Sequence, residues 1–291
     1  MTTEETTVDA PLTPQEFSLR RKMLLCPERI IYLIDLHEEM SSIWDEEKNR
    51  LEVVKDGIIS MSRRKCHSRY KHQFAIATFS GHNEYNLLLD FTSDIDKLQD
   101  IIKTKLTCSP TTTTSLSNNH QNENTNALDF GILFSNLSHS IGYDSSVSHT
   151  NQTSNSSPLT RCILFFGRSK EVPIISFEAS ILYQPYFFVD VVYLHLKITE
   201  EGVRCQEIYD MLSQLPTEAN PYKVSYIFET HHSALRLHTY LAALLAHPVN
   251  REHQSELLTK IEVTAESLAA IRELDTVIAV SVNGVTSNLK S

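Results

Sequence analysis

The hydrophobic residues of this chain fall mainly into short continuous runs, and the segments between these runs carry apolar residues at helical spacing. Continuous apolar runs of this length are typical of strands that are buried on both faces of a sheet. The segments predicted to be such strands are Arg29–Leu36, Gln73–Phe79, Tyr85–Phe91, Cys162–Phe166, Tyr186–Leu196 and Lys223–Phe228.

The segments between the strands predict helices with one apolar face. Leu51, Val54, Ile58 and Met61 follow one another at intervals of three or four residues, which places them on one side of a helix. The other predicted helices are Ile95–Leu106, Ala127–Ile141, Cys205–Leu215 and Ala234–Ala246. Because strands and helices alternate, the sequence predicts an α/β fold: a doubly wound, mostly parallel sheet with helices on both faces.

One pair of strands departs from this alternation. The runs QFAIATF and YNLLLDF are separated only by a short segment containing Gly81-His82-Asn83, which has the composition of a turn. A connection this short joins antiparallel strands, because parallel strands need a longer crossover. We therefore expect one antiparallel strand at an edge of the sheet.

Composition divides the chain into a domain with two tails. Residues 1–24 are acidic and poor in apolar residues, so we expect them to be disordered. The α/β domain is predicted to span residues 25–248, and residues 249–291 form a C-terminal tail. Two low-complexity insertions, at about 107–126 and 144–157, are rich in Ser, Thr and Asn and cannot bury enough surface to offset the entropy of ordering.

The composition gives no support to a catalytic function. Seven scattered glycines provide no phosphate-binding loop, and there is neither a Gly-x-Ser-x-Gly nor a His-Glu-x-x-His motif. The five cysteines lack the spacing of a zinc site, and the histidines are interpreted as ordinary surface or core residues. We expect no enzyme activity and no cofactor. The net charge of −10 disfavours direct nucleic-acid binding, and no apolar run is long enough to cross a membrane.

The order of elements resembles the von Willebrand A family. The first predicted strand ends at Asp35, and an antiparallel hairpin follows. The resemblance implies a von Willebrand A-like fold and a place for a magnesium site. In that family, the site takes its oxygen ligands from Asp-x-Ser-x-Ser after the first strand, a threonine before a later helix and an aspartate after the fourth strand.

This chain departs from the metal-binding pattern at several positions. The first motif reads Asp35-Leu36-His37-Glu38-Glu39, so that His37 and Glu39 replace the two serines. Thr125 matches the threonine, although it also suits a helix cap, and Arg168 stands near the position of the acidic ligand. We therefore predict a degenerate site without a metal. The alternative is a metal-dependent ligand-binding domain that uses Asp35, Thr125 and a replacement carboxylate.

A closer resemblance is carried by the segments CPERIIYLIDLHEEM, QPYFFVDVVYLH and ALRLHTYLAALLAHPVNREHQSELL. They are similar to the BRISC and BRCA-one A complex member one family, a divergent branch of the von Willebrand A group. The similarity extends from about Cys26 to about Leu258. It implies a non-catalytic scaffold and targeting subunit of a deubiquitinase complex that is selective for lysine-63-linked polyubiquitin.

The resemblance also implies partners and compartments. The expected partners are a scaffold subunit with ubiquitin-conjugating-enzyme-like (UEV) domains, a zinc metalloprotease-type deubiquitinase and its pseudo-protease partner. Contact with polyubiquitin is expected to be indirect. Complexes of this kind act in the nucleus at DNA damage, and in the cytoplasm on receptor signalling and the mitotic spindle. The first twenty residues lack a secretory signal, which agrees with cytoplasm and nucleus.

The tail provides the candidate partner-binding residues. Leu257, Ile261, Thr264, Leu268 and Ile271 follow one another at intervals of four and three, which predicts an amphipathic helix. Its apolar side either docks onto the scaffold subunit or packs back on its own domain. The residues predicted to bind a partner are Pro248, Arg251, Gln254, Leu257, Leu258 and Ile261.

A basic cluster, SRRKCHSRYKH, occupies Ser62 to His72. Two interpretations are open. The cluster is either a nuclear-import or partner-binding patch, or a group of cations that complement the dipole at the end of a helix and continue into a solvated loop.

Overall fold

The computed structural model describes residues 13–108 except 46, 69 and 82, residues 127–142, residues 159–215 except 178, 185 and 200, and residues 225–262. The α-helices are α1 (Pro14–Leu24), α2 (Arg50–Cys66), α3 (Ile95–Lys105), α4 (Phe130–Ser140), α5 (Cys205–Leu212) and α6 (Ala234–Ala243). The strands are β1 (Glu28–Asp35), β2 (Ile43–Asp45), β3 (Lys48–Asn49), β4 (Gln73–Ser80), β5 (Glu84–Thr92), β6 (Leu159–Phe166), β7 (Phe187–Leu194) and β8 (Ile227–Thr230).

The main sheet has the strand order β5-β4-β1-β6-β7-β8. β1 is parallel to both of its neighbours, β4 and β6, and the pairs β6–β7 and β7–β8 are also parallel. β5 pairs antiparallel with β4 and lies at the edge. This arrangement confirms the predicted doubly wound sheet and its single antiparallel edge strand.

Alternate side chains of the central strands pack on opposite faces of the sheet. Ile31 of β1 belongs to a buried cluster that includes Phe134 of α4 and Ile208 of α5. The next residue, Tyr32, points the other way, and its hydroxyl lies 2.8 Å from the Ser62 hydroxyl of α2. Both faces of β1 are therefore covered by helices, which explains why its sequence is continuously apolar from Ile30 to Ile34 instead of alternating.

Helix α2 is held by local and tertiary features. Asn49 and Glu52 form a reciprocal capping box at its start. Gly57 allows α6 to approach closely, because a Cβ atom at this position would lie 2.4 Å from Leu241 Cδ1. α2 and α6 are therefore neighbours on the same face of the sheet.

The prediction of disorder through residue 24 is wrong for residues 14–24, which form α1. Met23 at the end of this helix is buried in a cluster with Leu159, Phe188 and Val249, and Arg20 Nε donates a hydrogen bond to the Val249 carbonyl over 3.2 Å. Few apolar residues suffice to order α1, because tertiary packing and not local propensity stabilises the helix.

Other predicted boundaries shift by a few residues. The unit that contains the sheet extends to Asn250 instead of ending at residue 248, since Pro248–Asn250 forms a 3₁₀ turn that contributes Val249 to the cluster with α1. α4 starts at Phe130 instead of Ala127, because Asp129 caps it by accepting from the Gly131 amide at 2.8 Å. β8 begins later than predicted, at Ile227.

Several predicted features lie outside the described residues. These are most of the first insertion, predicted at about 107–126 and including Thr125, the second insertion, predicted at about 144–157, and the tail beyond residue 262. Arg251 begins a second unit of the chain. In its described part, residues 254–262 are helical.

Candidate functional site

The candidate site lies at the carboxyl edge of the sheet, between β1 and β6. The chain leaves β1 toward β4 and leaves β6 toward β7, so that the strand order reverses between these neighbours. Open α/β sheets bind ligands at such a switch point, because the loops diverge there and leave a crevice. Asp35 ends β1, and Gly167 and Arg168 directly follow β6.

Asp35 is fully buried, and both of its carboxylate oxygens accept hydrogen bonds from within the chain. Oδ1 accepts from the His37 amide at 3.1 Å and from Arg168 Nη2 at 3.4 Å. Oδ2 accepts from Arg168 Nε at 3.2 Å and from the Gly167 amide at 3.3 Å. The guanidinium of Arg168 is itself only 1% exposed and spans both oxygens, so the Asp35 charge is neutralised by an arginine.

A second acid lies beside this pair. Glu39 Oε1 accepts from the Ser169 amide at 3.1 Å, and Oε2 lies 3.7 Å from Arg50 Nη1. Arg50 is fully buried at the start of α2, where Nη1 also donates to the carbonyls of Gly167 at 2.8 Å and Leu194 at 3.2 Å. The loops that follow β1, β6 and β7 are therefore joined by two arginines.

The loop after β1 holds Glu39 in place. Residues Glu38–Ser41 form a 3₁₀ helix, and His37 caps it, because its Nδ1 accepts from the Glu39 amide at 3.3 Å. Met40 from this helix packs over Gly167, where a Cβ atom would lie only 2.2 Å from the Met40 sulfur. Glycine is thus required at 167 if the loops after β1 and β6 are to pack this closely.

These residues do not fit the magnesium that the fold family implies. Magnesium requires about six oxygen ligands in near-octahedral geometry, whereas the Asp35 oxygens are already engaged by a permanent cation. His37 and Glu39 are engaged as a cap and as a partner of Arg50 and Ser169, and Thr125 lies outside the described residues. Within the described ranges, no group of three or more His, Cys, Asp or Glu side chains is arranged to hold a metal ion.

A second charged cluster at the opposite edge of the sheet was missed in the sequence. Glu28 at the start of β1 pairs with Lys65 and lies 3.5 Å from Arg161 Nη1, and Arg161 Nε donates to Asp190 Oδ2 at 2.6 Å. The neighbouring cations hold the pKa of Glu28 below its ordinary value, against the opposing effect of burial. The available signal was the presence of charged residues inside apolar strands, since a buried charge needs a partner.

Two buried histidines flank these clusters. His72 Nδ1 accepts from the Glu28 amide at 3.0 Å, and His195 Nδ1 lies 2.7 Å from the Leu196 carbonyl oxygen. Burial lowers the pKa of both His72 and His195. Both are therefore core residues that favour the neutral imidazole.

The structure separates the predicted partner-binding residues into two groups. Pro248 lies buried in the 3₁₀ turn of the first unit, and Arg251 is buried at the start of the second. The other four are half-buried residues on one side of the 254–262 helix, whose other side is exposed. They are Gln254, Leu257, Leu258 and Ile261.

The sheet topology defines a von Willebrand A-like domain, in which Arg168 engages Asp35 at the switch point. Solved structures similar to this chain include the SpRpn10 VWA domain, with a TM-score of 0.47 and 15% identity, covering 79% of this chain and 98% of that one. Another is proximal thread matrix protein 1 from the mussel byssus with a zinc-occupied MIDAS motif, with a TM-score of 0.43 and 13% identity, covering 76% and 47%. No helix in the described residues is long and apolar enough to cross a membrane.

Sequence relatives identify the family. No family model matches the chain. BRISC and BRCA1-A complex member 1 from Xenopus tropicalis is 30% identical over 278 residues, which cover 91% of this chain and 81% of that protein. The protein of the same name from Homo sapiens is 29% identical over 255 residues, covering 84% and 71%. The chain belongs to the BRISC and BRCA1-A complex member 1 family.

Proposed function

We propose that this chain is a non-catalytic scaffold and adaptor subunit that stabilises and targets a deubiquitinase complex of the BRISC and BRCA1-A type. The complex is selective for lysine-63-linked polyubiquitin. It acts in the DNA damage response in the nucleus and in ubiquitin signalling in the cytoplasm. Membership of the family supports assembly into such a complex, since the relatives are named as its members.

The observation that carries the non-catalytic part of the proposal is the Asp35–Arg168 pair. In this fold class, ligands bind at the switch point. Of the metal-binding pattern, this chain keeps the Asp35 carboxylate, and the buried guanidinium of Arg168 engages both of its oxygens. A domain whose ligand position is filled by its own side chain acts through its outer surface. That is the property expected of a scaffold.

The second unit supplies the surface proposed to dock onto the UEV scaffold subunit. Leu257, Leu258 and Ile261 lie together with Gln254 on one side of the 254–262 helix. An amphipathic helix that presents i, i+3, i+4 and i+7 positions is a common docking element. The deubiquitinase, its pseudo-protease partner and polyubiquitin are reached through the scaffold, without direct contact of this chain with nucleic acid or membranes.

The test is affinity purification of the tagged full-length chain, with quantitative mass spectrometry of the subunits recovered. Three further forms are compared: a chain ending at Asn250, the variant Leu257→Asp with Ile261→Asp on the half-buried side of the helix, and a matched control. The control carries Ser255→Asp with Thr259→Asp on the exposed side, so that it adds the same charge. Purified chain alone is also incubated with lysine-63-linked tetraubiquitin.

We expect the full-length chain and the control to recover the UEV scaffold and the deubiquitinase. Recovery should fall at least about tenfold for the truncated chain and for the Leu257/Ile261 variant, since central apolar anchors dominate interface energy. Equal recovery with all forms would place the interface on the first unit instead. Absence of the complex from the full-length sample, or cleavage of tetraubiquitin by the purified chain, would contradict the proposed function.

A further inference from the structure

A cleft on the outer surface of the first unit is not used by the proposed function. α2 and α6 touch at Gly57 and Leu241, and a small open cleft lies between them next to this contact. Its walls include Ser60 and Arg64 from α2 and Ala242 and Leu245 from the α6 side. A concave, partly apolar strip between two helices has the shape that accepts a third helix.

The segments that form the cleft lack acidic residues, although the whole chain has a net charge of −10. No Asp or Glu occurs from residue 57 to residue 83, which includes the second half of α2, or from residue 230 to residue 251, which includes α6. Asp56 borders the strip, but its carboxylate pairs with Lys48 at 2.7 Å, so the strip is positive on a negative protein. An acidic partner is repelled by most of the surface and attracted here.

Two arginines on α2 place positive charge at the surface of the strip. Arg63 and Arg64 are exposed, and Arg63 Nη2 donates to the neutral Gln99 side-chain oxygen at 2.7 Å. In the part of the chain that the structure describes, neither arginine is within ion-pair distance of a carboxylate. Lys65 differs, because it is buried and pairs with Glu28. Within the basic cluster, Lys65 therefore has a structural partner, whereas Arg63 and Arg64 are available to a ligand.

The cations at the end of α2 also complement the helix dipole, which accounts for their position along the helix. The dipole does not account for the apolar residues beside them. Ile59 lies one turn before Arg63 and is only half-buried, on a surface that it shares with Asp56, Ser60 and both arginines. Apolar grooves accept the apolar side of a helix, and arginine clusters recognise acidic segments, so a strip that has both kinds of side chain suits an acidic amphipathic helix.

We propose that this strip, formed by Ile59, Ser60, Arg63, Arg64, Ala242 and Leu245, binds an acidic amphipathic helix of another subunit of the same complex. The aliphatic side chains of that helix lie against Ile59, Ala242 and Leu245, and its carboxylates pair with the two arginines. The identity of the partner rests on the proposed function. The strip itself is a second interface, distinct from the 254–262 helix.

The experiment uses the complex assembled by co-expression with the full-length chain. Ile59 is replaced by the photo-crosslinking residue p-benzoylphenylalanine, and crosslinked partner peptides are identified by mass spectrometry. The same chain is then made with Arg63→Glu and Arg64→Glu. The matched control carries Arg21→Glu and Lys22→Glu, another exposed and adjacent basic pair on a helix, with the same change in net charge.

The expected result is a crosslink from position 59 to a partner segment in which acidic residues outnumber basic ones. Its yield should fall about tenfold or more in the Arg63/Arg64 variant and remain unchanged in the control, because reversed charges at a contact repel the partner. If the complex assembles without this crosslink, the proposed binding of a helix to the strip is wrong, but the proposed function is unaffected. An equal loss in the control also contradicts the proposed binding, by showing a general effect of net charge. If no complex assembles, the proposed function fails first.

Discussion

Buried charge clusters lie at both ends of the same two central strands, β1 and β6. We call the side of the sheet where these parallel strands begin the amino edge, and the side where they end the carboxyl edge. β1 has Glu28 at its start and Asp35 at its end, and β6 contains Arg161 and is followed by Arg168. Each edge therefore pairs an acid of β1 with an arginine of β6 or its loop, at 3.5 Å for Glu28–Arg161 and 3.2 Å for Asp35–Arg168. The chemistry is alike, but the surroundings differ.

At the amino edge the arginine is held by short contacts to several elements. Arg161 donates to Asp190 on β7 at 2.6 Å and to the Leu244 carbonyl after α6 at 2.6 Å, and Asp190 accepts from the Tyr226 amide at 2.9 Å. At the carboxyl edge the ion-pair distances are 3.2 to 3.7 Å, and the Glu39 side chain is 12% exposed. Both clusters join several elements, but only the carboxyl-edge cluster also fills a crevice where this fold class binds ligands.

The largest expected effect is at the amino edge. Arg161→Met leaves Glu28 and Asp190 buried with one cation fewer and leaves the Leu244 carbonyl without this donor. We expect the free energy of unfolding to fall by about 3–5 kcal/mol, the usual cost of removing one partner of a buried pair. Urea denaturation measures it. Lys48→Met, which breaks the exposed Lys48–Asp56 pair, should cost less than about 1 kcal/mol. Equal costs would show that burial of the cluster is irrelevant to stability.

At the carboxyl edge, Arg168→Met should lower the free energy of unfolding by about 2–4 kcal/mol. The loss is smaller than for Arg161→Met, because only one buried carboxylate, that of Asp35, loses its cation. The double variant with Asp35→Asn should recover part of the loss, since the amide leaves no unpaired charge buried in the core. Urea denaturation of the single and double variants measures the difference. A double variant less stable than Arg168→Met would mean that the arginine contributes by packing and not by pairing with Asp35.

A smaller loss is expected from Gly167→Ala, which brings a methyl group against Met40. Met40 is fully buried, so its side chain has little room to move, and overpacking of this kind costs about 1–3 kcal/mol. A double-mutant cycle with Met40→Ala should show a coupling that favours the double variant, because the smaller side chain relieves the contact. Independent, additive effects would argue against a tight contact between the loops after β1 and β6.

The buried histidines, one near each cluster, predict a pH dependence. Burial lowers the pKa of His72 and His195 in the folded chain, so below pH 6.5 the unfolded chain takes up protons that the folded chain resists. Stability should therefore fall as pH drops from 6.5, by at most about 1.4 kcal/mol per pH unit for each histidine. In the variants His72→Gln and His195→Gln, the thermal midpoint should change less between pH 7 and pH 5.5 than it does in the wild-type chain. An unchanged profile in both variants would assign the dependence to other groups.

The smallest expected effect is that of magnesium on the wild-type chain. A ligand that binds only the folded state raises the thermal midpoint. Because Arg168 already engages Asp35, 10 mM magnesium chloride should give the same midpoint as sodium chloride of equal ionic strength. A specific rise with magnesium would favour the metal-dependent alternative.

The fold was predictable because its central strands contain long apolar runs, which specify a sheet covered on both sides. Asp35 and Arg168 could also be singled out, but they are 133 positions apart, and the sequence does not show that they pair with each other. Arg50 and Arg161 were missed. Arg50 follows a capping residue and reads as a solvated position, while the partners of Arg161 come from three distant segments. Long-range pairing of buried charges depends on topology, which local pattern does not encode.

The Asp35–Arg168 pair has a consequence for how this domain responds to its surroundings. A domain held together by a diffusible ion is saturated only while that ion is abundant, so chelation or depletion changes its conformation. In this chain the cation is covalently part of the polypeptide, and its effective concentration at Asp35 does not depend on dilution or on divalent ions in the compartment. The crevice is therefore filled from the moment of folding. The shape of this crevice is therefore independent of the supply of any free ion.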